Sequence, residues 1–401
     1  MRTPGPHSPL PDFAPPPPLA PRRRLAVAAL LAAALLTAAC SRPIDVGVIV
    51  SDTGAAASYG EEVRRGLEVA LAEVRAAGGM GGRIRLLYRD DATNPEVGVQ
   101  ATRELIEQQG VRLVIGAVSS PVTLRIAPTC ERARVVLLSP TSSSPAITTA
   151  GEWIFRNYPS DTLEGSSLAD FARDQGCRRV AVLAVRNEFG TGLSAVFARR
   201  FQGDARQVVL SVPFKEGDAG EFAKLAAVVR AAAPDGVYIA GYADDTVGLL
   251  AALRQAGVRS IALGTSSMTA EAVGRAGPSA EGLVFPETSF DAESPQSAAR
   301  AFAAAYRARF HEEPDAFAAH AYDALKLLVL AMERTGSPDA ESVRRGLMGI
   351  DDYPGASGPV AFDENGDVVQ YPRLFVVHQG GVEPYDRFVE GGGSLSVPPV
   401  Q

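Results

Sequence analysis

From Ile44 onward the chain alternates short Val/Ile/Leu-rich runs with segments of 3.6-residue apolar periodicity, and it does so in two successive series. The first series reads as strand IDVGVIV (44–50), a helix with Val63, Leu67, Ala70, Leu71 and Val74 on one face, strand RIRLLYRD (83–90) and a helix near Pro95–Gln109. Strands Leu113–Gly116 and Val135–Leu138 follow, with a third helix between them. The second series contains RVAVLAV (179–185), QVVLSVP (207–213), GVYIAG (236–241), SIALG (260–264) and GLVFPE (282–287), separated by helices near Gly192–Phe201, near Glu221–Ala232 and through Gln255. Strands joined by crossover helices form parallel sheets, so the expected fold is α/β: two doubly wound lobes with a cleft between them. The length of 401 residues, beyond that of most single domains, fits two lobes.

The segment Val111–Ser143 carries the strongest functional signal. Its two strands each run into a Ser-rich turn, and in an open α/β sheet that edge is where ligands bind, because helix N-termini leave unpaired N–H groups there. Ser119, Ser120, Ser139, Thr141, Ser142 and Ser143 are expected to face the crevice, as half of a cleft suited to an anionic group. The competing reading makes Ser119 and Ser120 simple helix caps before Pro121. Pro128 is expected to kink or divide the same helix. GGMGG (78–82) follows a helix and precedes a strand, the reverse of a dinucleotide-binding loop, and reads as a turn. DENGD (363–367) lacks calcium-loop spacing, and Asn365-Gly366 reads as a hairpin turn.

The N-terminal region reads as export machinery. Arg22–Arg24 precede the apolar run Leu25–Leu36, which leads to LTAAC (36–40), the layout of a secretory signal that resembles a lipoprotein processing box with Cys40 as the lipidated residue. A plain signal peptide is the alternative. The run is too short for a permanent membrane span, and the Pro-rich stretch before it cannot form a packed element. Cys130 and Cys177 are expected to remain unpaired thiols.

Composition and motifs narrow the function classes. A formal net charge of -7 argues against nucleic-acid binding. Beyond the signal only His311, His320 and His378 are available, without HExxH, GxSxG or a P-loop, so no catalytic residue, metal or cofactor is expected. His320 reads as an interior histidine on an apolar helix. No helix-turn-helix or second membrane span supports a regulator or receptor.

Several patterns in order, among them SDTGAAASYGEEVRRGLEVALAEV, YRDDATNPEVGVQATRELI, VIGAVSSPVTLRIAP, LLSPTSSSPAIT, IFRNYPSD, NEFGTGLSAVF and IAGYADDTVGLLAALRQAG, resemble the leucine/isoleucine/valine-type periplasmic substrate-binding proteins of ABC importers. The resemblance covers roughly Ile44 to Val389. It implies a type I periplasmic binding protein fold with three crossovers, near Pro159, Ser289 and Val369. The implied division is extension and signal at 1–40, lobe 1 at 41–160 and 290–369, lobe 2 at 161–289 and 370–390, and a loose tail at 391–401. It further implies a monomeric, non-catalytic protein that binds an amino acid or small carboxylate, partners an ABC permease and touches the membrane only through its lipid anchor.

By the same resemblance, Ser120 with Ser119 beside it meets a ligand carboxylate, and Thr141 and Ser143 meet its carboxylate and ammonium. Tyr59 covers the ligand from the first lobe, Phe189 and Tyr242 close from the second, and Asp161 lies near the amine. Asp161 with Glu164 equally reads as a capping box. Ser266 stands where the branched-chain amino-acid binders carry a glutamate for the ammonium, and Thr93 and Ser119 stand where the family often has a cysteine pair. Asp245 is a candidate replacement for that glutamate. Three ligand classes stay open: an amino acid, a carboxylate without an amine, and an amide.

Overall fold

The computed structural model describes residues 42–288, 290–292 and 297–395. Cys40 with the signal segment, Ser289 and the end of the tail lie outside the described residues.

The first sheet is built from β1 (Ile44–Val50), β2 (Ile84–Asp90), β3 (Leu113–Ile115), β4 (Val136–Ser139) and β5 (Ile154–Arg156), with α1 (Ala57–Ala77), α2 (Pro95–Arg103) and α3 (Ser120–Ala133) as crossovers. Its order is β2-β1-β3-β4-β5, parallel throughout. Every residue of β1 except Asp45 is buried, as a strand covered on both faces requires. The predicted stripe of α1 is largely realised, with Val63, Leu67, Ala70 and Val74 all buried. Helix α3 buries Val122, Ile126 and Cys130 and runs through Pro128 without being divided there. Pro128 lies on the exposed face, where solvent can reach the Leu124 carbonyl that it leaves without an N–H partner.

The chain then forms α4 (Asp161–Asp174), β6 (Arg179–Val185), α5 (Glu188–Phe201), β7 (Gln207–Phe214), α6 (Ala219–Ala232), β8 (Gly236–Ala240), α7 (Ala243–Gln255), β9 (Ile261–Leu263), α8 (Ala270–Ala276) and β10 (Val284–Glu287). It returns to the first lobe as α9 (Ser297–Phe310), α10 (Ala316–Thr335) and α11 (Ala340–Met348), with α9 and α10 packed on α1. Gly66 permits this closeness, since a Cβ there would sit 2.1 Å from the Ala318 carbonyl oxygen. After the small antiparallel pair β11 (Tyr353–Gly355) and β12 (Gly358–Val360), the chain rejoins the second lobe as β13 (Arg373–His378), β14 (Gly381–Pro384) and α12 (Tyr385–Glu390). The second sheet has the order β14-β13-β10-β9-β8-β6-β7, with β13 antiparallel to β10. Asn365-Gly366 lies in the turn that brings Phe362 opposite Val368, and Asp363 accepts the Asn365 and Asp367 N–H groups.

Each sheet reverses its strand order at one place. In the first, β2 and β3 flank β1; in the second, β7 and β8 flank β6. The loops leaving the carboxyl ends of these strands converge, which places a crevice at a topological switch point of both lobes at once.

Candidate ligand site

The crevice encloses a small cavity, lined from the first lobe by Tyr59, Ser119, Ser120, Thr141 and Ser143 and from the second by Phe189, Tyr242 and Ser266. Tyr158, Ser267 and Phe317 complete its main wall, and about 40 Å³ is open to the centre of a water-sized sphere.

The Ser-rich turns divide into an inner and an outer set. Ser139 and Ser142 were expected to face the crevice, but their hydroxyls turn back onto the Ala117 carbonyl at 2.9 and 3.2 Å. They hold the turn rather than the ligand. Thr141 donates to the Val118 carbonyl at 2.7 Å while still lining the cavity. Ser120 Oγ accepts the N–H groups of Ser143 and Ser144 at 3.2 and 3.1 Å, which ties the two turns together and leaves its own proton to donate.

The competing capping reading fails at Ser119. It occupies the N-cap position of α3 but makes no side-chain capping bond, and its buried hydroxyl has no partner. Pro121, at the second helical position, lacks one of the two amides that a capping hydroxyl would take. The result is a buried donor at a helix N-terminus in the cavity wall, suited to an anionic oxygen.

Aromatic rings form most of the remaining wall. Phe189 and Tyr242 stack with centroids 5.0 Å apart, Tyr158 stacks on Phe317 at 5.9 Å, and Tyr59 packs on Phe317 at 4.8 Å. The Tyr59 hydroxyl also bridges the lobes: it accepts the Ala243 N–H at 2.9 Å and donates to the Ser267 carbonyl at 3.3 Å. Burial pushes its ionisation well above the ordinary tyrosine range, so it remains a neutral donor.

The acidic residues stand one layer back. Asp161 is fully buried and neither carboxylate oxygen has a hydrogen-bond partner of good geometry, although the Ser143 hydroxyl is close enough to ease its ionisation. The capping-box reading does not hold, because Ser160 is the N-cap of α4 and accepts the Thr162 N–H. Glu164 instead reaches across to the Ser266 N–H at 3.1 Å. Burial pushes Glu164 up to about 7, while burial and then the Glu164 charge push Asp161 far above the usual carboxylate range. Asp245 is not at the cavity; its carboxylate accepts the Gly217 N–H at 2.9 Å.

One buried arginine joins the site to the interlobe connections. Arg156 grips Asp367 through Nε and Nη2 at 2.7 and 2.6 Å, and donates through Nη1 to the Ser143 and Ser144 carbonyls, both at 2.8 Å. The second Ser-rich turn is therefore braced by both the first and the third passage between the sheets.

Sequence reasoning missed Tyr158, Ser267 and Phe317 as wall residues. Tyr158 and Ser267 lie within the quoted patterns or beside a candidate, so their place was within reach. Phe317 carried no local signal: it sits in an apolar helix, and only packing against Tyr59 and Tyr158 brings it to the site. His320 is interior as expected, donating from Nδ1 to the Asn157 carbonyl at 2.7 Å, with burial holding it down at about 3 and therefore neutral. Thr93 and Ser119 make no covalent tie; Thr93 Oγ1 instead accepts the Ala56 N–H at 3.0 Å. Cys130 and Cys177 are buried free thiols. Among the described residues no cluster of His, Cys, Asp or Glu could hold a metal ion, and no helix is long and apolar enough to cross a membrane.

A family model described as periplasmic binding protein matches residues 43–381. The chain is 27% identical over 336 residues to "Leu/Ile/Val-binding protein homolog 3" of Brucella melitensis, covering 82% of this chain and 90% of the relative. Its structure resembles that of a leucine binding protein from Thermotoga maritima, with TM-score 0.80, 28% identity and coverage of 85% and 97%. A solute binding protein of an ABC transporter from R. palustris, in complex with benzoate, shares the fold with TM-score 0.77, 21% identity and coverage of 85% and 95%.

Proposed function

The chain belongs to the periplasmic binding protein family, and on that premise we propose that it captures an amino acid, branched-chain-like, or a related small carboxylate and delivers it to an ABC permease. The single observation that carries this reading is the Ser119 hydroxyl: buried, unpartnered and placed at the α3 N-terminus in a wall shared with Ser120. A carboxylate would receive charge-assisted hydrogen bonds from Ser119, Ser120 and the turn amides, and the rings of Tyr59, Tyr158, Phe189, Tyr242 and Phe317 would cover an apolar side chain.

Capture works by hinge closure about crossovers near Pro159, Ser289 and Val369, between a lobe of residues 41–160 with 290–369 and a lobe of residues 161–289 with 370–390. Tyr59 latches the closed form through its two interlobe hydrogen bonds. No bond in the ligand is made or broken. The protein acts as an exported monomer, tethered by a lipidated Cys40 ahead of its folded body.

A second reading, in which the ligand is an acid or amide without an amine, is favoured by Ser266 at the position where a glutamate would meet an ammonium. Thermal-shift screening of amino acids against their deaminated counterparts separates the two. Leucine stabilising the protein more than its keto acid supports the amino-acid reading. Equal stabilisation supports the second, and turnover of any ligand removes both.

A further inference from the structure

The wall at Ser266 is not electrically neutral behind its surface. Glu164 holds the Ser266 N–H, and the Ser266 hydroxyl lies close enough to Glu164 and to Tyr158 to favour ionisation of each. One turn back on the same helix, Asp161 keeps both oxygens without a hydrogen-bond partner, and beside the pair the Tyr238 hydroxyl is also buried and unpartnered. Two buried carboxylates three residues apart on α4 repel each other when both are charged. The groups facing them are Arg156 on β5, Ser143 after β4, Tyr158 in the first crossover, Tyr238 on β8, Tyr242 before α7 and Ser266 after β9. Asp315, itself pushed up to about 7 by burial, is a further titrating carboxyl near Tyr158. Arg156 is the one cation in this set, and it is already gripped by Asp367. The pair therefore retains a proton near neutral pH, with Glu164 pushed up to about 7 by burial.

The geometry points to Asp161 and Glu164 as a proton-sharing pair that supplies, from one residue behind the cavity wall, the negative charge for a ligand ammonium. Glu164, acting through Ser266, takes the place of a glutamate in the wall itself, and the site selects acids that carry an amine. This rests on the carboxylate-binding reading above and specifies the other end of the ligand. An ammonium entering beside Ser266 and Tyr158 favours ionisation of the pair, so binding releases a proton to solvent. Glu164 is a positioning residue here, because it acts through Ser266 rather than by touching the ligand.

The test is calorimetric titration of the purified protein with L-leucine and with its 2-hydroxy acid counterpart at pH 6 and pH 8, in buffers of different ionisation enthalpy. The amine and the carboxylate of leucine keep their charges over that range, so any pH dependence belongs to the protein. Leucine is expected to bind about tenfold more tightly at pH 8 than at pH 6 with proton release, whereas the hydroxy acid gains nothing. Glu164→Gln keeps an oxygen for the Ser266 N–H. It should remove the proton release and most of the preference for leucine over the hydroxy acid, whereas Asp161→Asn, which leaves Glu164 buried against Ser266, should keep the release and lose less of that preference. Circular dichroism and retained hydroxy-acid binding report that the variants fold. Leucine affinity that is flat with pH and unaltered in Glu164→Gln overturns the pair while leaving the carboxylate site standing. Binding of neither acid removes the carboxylate reading and the pair with it.

Discussion

The two walls of the cleft share a backbone device and differ in chemistry. In each lobe an aromatic residue followed by glycine opens the helix that leaves a switch-point strand: Tyr59-Gly60 in α1 and Phe189-Gly190 in α5. A Cβ on Gly60 would lie 1.9 Å from the Ser51 carbonyl oxygen, and one on Gly190 would lie 2.2 Å from that of Val185. Both glycines let a helix start tight against the end of its strand, which carries the ring into the crevice. Around that shared frame the first lobe adds hydroxyls and helix-terminal amides to its own rings Tyr59, Tyr158 and Phe317, while the second sets the stacked Phe189 and Tyr242 beside buried acids behind Ser266. The first lobe thus carries the unpartnered Ser119 hydroxyl and the second the buried acids.

Breaking the brace beneath the first wall should have the largest effect. Arg156→Met leaves the Asp367 carboxylate buried with only the Thr148 hydroxyl, and takes one donor from the Ser143 carbonyl, which keeps the Asp161 N–H, and the donor from the Ser144 carbonyl, at a cost of about 3–5 kcal/mol in urea unfolding. An unfolding free energy within 1 kcal/mol of wild type would show that Arg156 does not brace the turn. Next in size, Gly60→Ala and Gly190→Ala should each cost about 1–3 kcal/mol by forcing a helix away from its strand. Equal losses in the two variants support the shared frame, and a loss in only one breaks the parallel between the lobes.

The smaller predictions concern binding. Ser120→Ala should weaken any carboxylate ligand by about 1–3 kcal/mol, the usual effect of losing a charge-assisted hydrogen bond, and unchanged affinity removes Ser120 from the site. Tyr59→Phe keeps the ring but not the interlobe bonds, so ligand affinity should fall by about 0.5–1.5 kcal/mol. Small-angle scattering of the free variant should show a larger fraction of open molecules. The acid pair adds a pH signature: Glu164, protonated in the folded state up to about 7 but ionised at ordinary glutamate pH when unfolded, stabilises the fold at low pH, and that contribution is lost as pH rises through 7. Relative to wild type, Glu164→Gln should therefore gain stability as pH increases from 5 to 8.

Much of this architecture is visible in the residues themselves. The strands at Ile44–Val50 and Arg179–Val185 coincide with the predicted runs because buried parallel strands are almost uniformly apolar. The two Ser-rich turns, the paired rings and Ser266 all reach one cavity. Side-chain direction is what the sequence conceals. Ser139 and Ser142 have the same local composition as Ser119 and Ser120, yet they bond inward to Ala117. Glu164 looks like the far half of a capping box until β9 brings Ser266 to it. Phe317 depends on contacts with residues distant in sequence and no local pattern distinguishes it from ordinary core, while the role of Arg156, though it lies within IFRNYPSD, depends on its distant partner Asp367.

We propose that this cleft closes on a small carboxylate held by the first lobe's serines. The most direct test is a thermal-shift series with amino acids and their deaminated acids, run on the wild type and on Ser120→Ala in parallel. A branched-chain amino acid or a closely related acid is expected to raise the melting temperature, and the rise is expected to shrink sharply in the variant. No rise with any carboxylate, or one that is the same in both proteins, would contradict it.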